Sequence, residues 1–380
     1  MLATIIQQEQ DLSALLPSYR TNNSPSKALQ NATNTWATTV YNAAKQLSPI
    51  EFTELQIVQA LQFCQCPIFI CGVHRSGTTL MRDLLDAHPA LSVLPSEGTY
   101  ITNIERKIQH LKDQDAMAFM CIEWLKRLAN PINQPPYWIL GNTSLEKSPY
   151  VDFTNAFISW WPLVQQYLQA TNTMWPHLVL QLAYAHVLQQ ILPNSKPVCW
   201  VDKTPTQEQH LTRLWQFFPN AKVLHVLRHP AAILASRKQM EPNTPLRVFV
   251  KDMQHSFRIA TEQTALQNPR YLCVRYEDLC SHVDVTIAQI VSFLEIENLT
   301  SLTIPTVAGK PTQANSSFLQ PQVTGKIVAN NVAKQPNNLS ASHYQLLAAT
   351  VGKLGFGFNY HLPETNPLQK FWAKLRYEVW

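Results

Sequence analysis

The sequence predicts an α/β protein: a parallel sheet of about five strands with helices on both faces, plus helical additions at the N-terminus and in the middle. Three observations carry this expectation. Short apolar runs recur at 68–71, 91–94, 198–201, 222–227 and 271–275, with helical patterns between them. Continuous apolar runs of that length are what strands covered on both faces look like. With 380 residues, 46% of them hydrophobic, the chain can bury a substantial core. Finally, two of only nine glycines, Gly72 and Gly77, fall between the first predicted strand and the helix that follows it.

Taken in order, residues 1–66 read as helices, with Leu12, Leu15 and Leu16 in one and Phe52, Leu55, Ile57, Val58 and Leu61 in another. The first ten residues carry no basic stretch ahead of an apolar run, so they form an amphipathic helix and not a signal peptide. After the strand at 68–71 and its turn, Leu80, Met81, Leu84 and Leu85 share one helical face, which stops at His88-Pro89. From about 99 to 196 the pattern is helical, broken by a proline-rich stretch at 131–149. Residues 301–342 carry little periodicity and read as a long functional loop region. The expected organisation is therefore an N-terminal extension at 1–66 and a core at 67–342 with a helical insertion at about 100–196. Helices at 343–380 would pack on that core.

Composition narrows the class. Thirty basic against 25 acidic residues give a net charge of +5 that is not gathered into a tail, so nucleic acid is not an implied partner. The excess suits a ligand with several negative charges. Nowhere do 18 or more apolar residues run uninterrupted, so no transmembrane segment is expected. Seven cysteines, an odd count with Cys71, Cys199 and Cys273 inside apolar runs, imply free thiols and a cytoplasmic setting. Cys64-Gln65-Cys66 lacks a second ligand pair, and no two histidines show a metal-site spacing near a carboxylate, so no metal is expected.

The turn itself reads Gly72-Val73-His74-Arg75-Ser76-Gly77-Thr78-Thr79. Strand, glycine-bearing turn and helix together line up backbone N–H groups for an anion, which makes the predicted sheet P-loop-like. The spacing fits a nucleotide phosphate loop except that Thr78 stands where its lysine would be. That argues against nucleoside triphosphate chemistry, and Arg75 carries the positive charge inside the loop instead. The plainer alternative is a tight turn that binds nothing.

The run from Gly72 to Pro89 resembles the 5′-phosphosulfate loop of sulfotransferases that use 3′-phosphoadenosine 5′-phosphosulfate (PAPS), most nearly the tyrosylprotein branch and its bacterial relatives. The resemblance implies that Arg75, Ser76, Gly77, Thr78 and Thr79 hold the phosphosulfate. A second segment, 223–230 with Ser236 in the following helix, is similar to the family's 3′-phosphate segment, with Arg228 at a strand's carboxyl end and Ser236 as donors. Tyr276 in Arg275-Tyr276-Glu277-Asp278 would lie near adenine and ribose. Gly309-Lys310-Pro311 with 315–318 resembles a loop that closes on the 3′-phosphate through Lys310.

By position, the resemblance makes Glu97 the general base and Lys203, in Asp202-Lys203-Thr204-Pro205, the cation on the bridging oxygen, with Arg75 sharing the charge. The branch has paired glutamates and an arginine at the first of these places, whereas Glu97 is flanked by Ser96 and Gly98. That departure bears on the acceptor: a peptide, sugar, lipid or phenol hydroxyl all stay open. Two readings compete with sulfuryl transfer. A P-loop kinase would need a lysine at 78, and a non-catalytic protein binding 3′-phosphoadenosine 5′-phosphate (PAP) would not need Glu97 or Lys203. The basic, aromatic segment 371–377 is expected to pack on its own domain, with a membrane surface or a second subunit of a homodimer as alternatives.

Overall fold

A computed structural model describes residues 1–19, 26–131, 137–312, 324–327 and 338–377. Five strands form the expected parallel sheet with helices around it: β1 Pro67–Cys71, β2 Leu91–Glu97, β3 Cys199–Lys203, β4 Lys222–Leu227 and β5 Tyr271–Arg275. Their order is β2-β3-β1-β4-β5. β1 pairs with β4 so that Ile70 faces Leu224 and Cys71 faces His225, and β4 pairs with β5 in turn. The chain departs from β1 to one side for β2 and β3 and to the other for β4 and β5. The carboxyl end of β1 is thus the switch point where open α/β sheets bind ligands.

Four strand ends differ from the sequence reading: β1 starts one residue earlier, at Pro67, and β3 runs two residues further, to Lys203. β2 continues three residues past 94, through Pro95 to Glu97. It stands at the end of the strand order, and an edge strand tolerates proline because one side of its ladder needs no donor. β3 starts at Cys199, since Val198 is 60% exposed and takes no part in the core.

The chain divides into two compact units. One comprises Met1–Pro67, Asp86–Val201 and Thr306–Thr312; the other comprises Ile68–Leu85, Asp202–Pro305 and the described residues of Gln313–Trp380.

In the first unit the helices Leu2–Tyr19, Lys27–Ala44, Glu54–Cys64, Asp113–Ala129, Pro149–Leu168 and Trp175–Ile191 enclose an aromatic core. Trp36 meets Tyr150 edge-on at 5.1 Å and Trp161 meets Trp175 at 4.8 Å. The buried Glu9 carboxylate accepts from the Thr143 N–H (2.9 Å) and hydroxyl (2.6 Å), tying the first helix down, and burial pushes its pKa up. The apolar face expected around Leu55 and Val58 is exposed. That helix is buried instead through its last turn, by Ala60, Phe63 and Cys64.

Within 301–342, where a long loop is expected, two short antiparallel strands appear, β6 Thr306–Val307 and β7 Lys310–Pro311. Residues 315–318 lie outside the described ones.

The second unit packs Leu227, Ile233, Leu234, Phe249, Met253 and Phe257 against Leu346, Leu347, Val351 and Tyr360. Among the described residues no helix is long and apolar enough to cross a membrane.

Candidate active site

The loop after β1 is shaped by its two glycines. Gly72 has φ +132°, and a Cβ there would lie 2.4 Å from the Val226 carbonyl oxygen. Gly77 has φ +105°, and a Cβ there would lie 2.2 Å from the Tyr276 ring. Neither position admits a side chain. Arg75 sits between them in the left-handed region, φ 75°, a strain that the surrounding bonds must hold. The helix Thr78–Leu85 begins directly after Gly77, so the loop ends on amide groups carrying the partial positive charge of a helix N-terminus. Thr78 is buried and Thr79 exposed. Ser76 Oγ is buried with no hydrogen-bond partner among the described residues.

Arg75, Ser236, Arg228 and Tyr276, far apart in the chain, meet beside this loop. Arg75 Nε donates to Ser236 Oγ at 2.9 Å, and Arg228 Nη1 donates to the Arg75 carbonyl at 3.1 Å. The Arg228 guanidinium lies 4.4 Å from the centre of the Tyr276 ring. Burial, and after it the like charge of Arg228, push the Arg75 guanidinium below its ordinary pKa. Two cations crowded in this way are stabilised by an anion of more than one charge. A buried hydroxyl in need of a partner, a cradle closed to any Cβ and two forked donors fit an anion with more than one charged oxygen group.

Lys203 ends β3 and is 2% exposed. Its segment is registered on β1 and the loop: Thr204 N–H bonds the Ile70 carbonyl (3.1 Å) and Thr206 N–H bonds the Gly72 carbonyl (2.9 Å).

Glu97 and Lys310 belong to the first unit. Glu97 is the last residue of β2 and half-buried. Lys310 is exposed on a turn whose two central residues, Ala308 and Gly309, both have positive φ, the backbone of a two-residue hairpin. Asp86 holds that turn, accepting from Ala308 N–H (3.1 Å), Gly309 N–H (2.9 Å) and the Thr306 hydroxyl (2.7 Å). His88, at the end of the first helix's run, accepts the Ala90 N–H on Nδ1 at 3.1 Å, a turn contact.

Three groups of residues escape the sequence reading. Arg127, from the helix Asp113–Ala129, donates to the carbonyl of Glu97 and to Thr99 Oγ1 (3.1 Å). It serves the turn from which the arginine is missing in sequence. Glu277 accepts the His229 N–H at 2.9 Å and the Tyr360 hydroxyl at 2.7 Å, which fixes the chain directly after Arg228.

Beneath the loop, Cys71, Glu208 and His225 come together with ligand-type atoms within 4.8 Å, a grouping that local spacing does not reveal. Glu208 Oε2 accepts the Gly72 N–H at 3.0 Å. His225 contacts Tyr271 through Nδ1 and Ser256 Oγ through Nε2 (2.8 Å), and burial pushes its pKa down. The signal for all three is three-dimensional: each is a polar or titratable residue in or beside an apolar run, unremarkable until folded.

No curated protein matches the chain. Among solved structures it is similar to the sulfotransferase domain from the Synechococcus PCC 7002 olefin synthase, at 21% identity over 78% of this chain and 96% of that one, TM-score 0.49. It is similar also to the sulfotransferase domain from the curacin biosynthetic pathway, at 19% identity over 78% and 98%, TM-score 0.43. A third likeness is to sulfotransferase STF9 from Mycobacterium avium, at 16% identity over 78% and 80%, TM-score 0.38. Residues 67–300, more than half of the chain, match the model of one family across the loop, both arginine-bearing segments and Lys203, and the chain belongs to that sulfotransferase family.

Proposed function

We propose that the chain moves a sulfuryl group from PAPS to the hydroxyl of an acceptor, by in-line transfer and in the cytoplasm. The observation that carries the donor is the meeting of Arg75, Arg228, Ser236 and Tyr276 beside a loop with an unpartnered buried Ser76 hydroxyl. PAPS supplies the sulfuryl group, and its adenosine bisphosphate is the leaving group. Arg75, Ser76, Gly77, Thr78 and Thr79 hold the 5′ side, Arg228 and Ser236 hold the 3′-phosphate with Lys310, and Tyr276 lies along the nucleoside. Lys203, a compact cation in a buried position, neutralises charge on the bridging oxygen as the sulfur–oxygen bond breaks. Glu97 takes the acceptor proton, a role based on the likeness of its segment to the tyrosylprotein branch. Arg75 and Lys203 supply the positive charge that Mg²⁺ gives a kinase. All seven cysteines are free thiols, which supports a reducing compartment.

Thermal unfolding with PAP and with ATP plus magnesium tests the donor. PAP is expected to raise the melting temperature, because it binds the folded state alone, and ATP with magnesium is expected to leave it nearly unchanged. Equal shifts would overturn the reading in favour of a general nucleotide site.

A further inference from the structure

The helix Pro367–Arg376 presents the wrong side to solvent for an ordinary packed helix. Leu368, Phe371, Trp372 and Leu375 recur at i, i+3, i+4 and i+7, the spacing that gathers side chains on one face. All four are exposed, by 65%, 50%, 57% and 43%. The helix is fastened to its unit from the other side. Ala373 is buried in the core with Leu346, Leu347 and Val351, and Tyr377 packs on the same cluster. The Tyr377 hydroxyl meets Ser342 Oγ at 2.9 Å, and its ring stacks on His343. This apolar face is turned away from the face that packs, and half or more of the surface of Leu368, Phe371 and Trp372 stays open to solvent. Left in water, four large apolar side chains on one stripe mark a surface that something covers.

Charge identifies what covers it. The helix carries Lys370, Lys374 and Arg376 and no acidic residue. On a helical projection Lys374 flanks the apolar stripe on one side and Arg376 on the other, while Lys370 lies behind it, towards the packed side. Two copies of this face pressed together would set like charges against each other at close range. An anionic bilayer surface instead attracts the two flanking cations while its acyl boundary takes the Phe, Trp and Leu side chains. A lysine stem reaches along the apolar surface and keeps its ammonium group at the headgroups. We propose that this helix docks the protein reversibly on the surface of a membrane containing anionic lipid, lying in the interface without crossing it.

Co-sedimentation of the full chain with vesicles tests this. Vesicles of phosphatidylcholine mixed with phosphatidylserine are expected to bind the protein, and pure phosphatidylcholine vesicles to bind it far less. Replacing Phe371 and Trp372 by serine is expected to weaken binding about tenfold for each side chain removed. Lys374→Glu is expected to weaken it about fivefold or more for the charge lost, and added salt to act in the same direction. Because these side chains are exposed, the variants should melt at the wild-type temperature. Binding to neither vesicle, or equal binding to both, overturns the proposal. So does light scattering that finds a dimer which the Phe371/Trp372 variant converts to a monomer, since a second copy would then cover the face.

Discussion

The loop after β1 and the turn after β2 both carry polar chemistry off the end of a strand, and they are stiffened in opposite ways. The loop is held by what it lacks: at Gly72 and Gly77 a single added carbon would collide with a carbonyl or a ring. Its backbone has one shape because no side chain competes for the space. The turn is held by what reaches it from elsewhere. Thr99 is itself in the left-handed region, φ 51°, and Arg127 crosses from a helix 28 residues later to bond Thr99 Oγ1 and the Glu97 carbonyl. The first design tolerates almost no substitution within itself, whereas the second tolerates local change but draws support from a distant cation.

The sharpest way to separate the two regions is to remove the proposed base. Glu97→Gln should lower turnover about a hundredfold to ten-thousandfold while the stabilisation of the protein by PAP stays near wild type. The acidic limb of the rate profile should vanish with the carboxylate. Retention of more than about a tenth of the activity would move the base to another residue, His74 first.

Gly72→Ala attacks the other region. The new Cβ meets the Val226 carbonyl at 2.4 Å in a backbone with φ +132°, so strain and collision add. A loss of about 3 kcal/mol or more in denaturant unfolding is expected, with PAP binding lost as the loop is displaced. A loss under about 1 kcal/mol would mean that the loop can adopt another backbone, and the contrast with the β2 turn would fail.

What sequence could show follows the same division. The five strands were legible because parallel strands covered on both faces must be apolar throughout, as Ile68-Phe69-Ile70-Cys71 is. Gly72, Arg75, Gly77, Arg228, Ser236 and Tyr276 were legible because their determinants lie within one strand–turn–helix each. The extension of β2 to Glu97 was not, since Pro95 speaks against a strand until its edge position is known. Nor were β6 and β7, two residues each, whose turn is held by Asp86 from 220 positions earlier. Arg127 and Glu208 carry no local signal in sequence, and Glu277 is legible only as a member of the segment around Tyr276. Only the fold turns them toward a backbone amide or carbonyl. The Leu55–Val58 face fails for the converse reason, because apolar spacing alone does not say whether a neighbour is there to cover it.

The smallest effect tests the distant clamp. Arg127 is half-buried, stacked 5.1 Å from the Trp124 ring, and its planar fork serves two acceptors at once. Lysine keeps the charge but is a point donor that cannot span both the Glu97 carbonyl and Thr99 Oγ1. Arg127→Lys should therefore forfeit about one hydrogen bond's worth, ~1 kcal/mol, read as about a fivefold fall in kcat. The donor-cradle contacts described above join Arg75, Ser236, Arg228 and Tyr276 to one another, so the KM for PAPS and the PAP thermal shift should hold. Arg127→Met, which keeps much of the apolar stem and removes both bonds, should fall further in kcat with the same pattern. The split between kcat and KM distinguishes positioning from mere stability: a clamp that only supports the fold would lower the melting temperature and weaken donor binding together. Wild-type kcat in the lysine variant would mean that the turn after β2 is rigid without the fork, and that the two regions are stiffened alike.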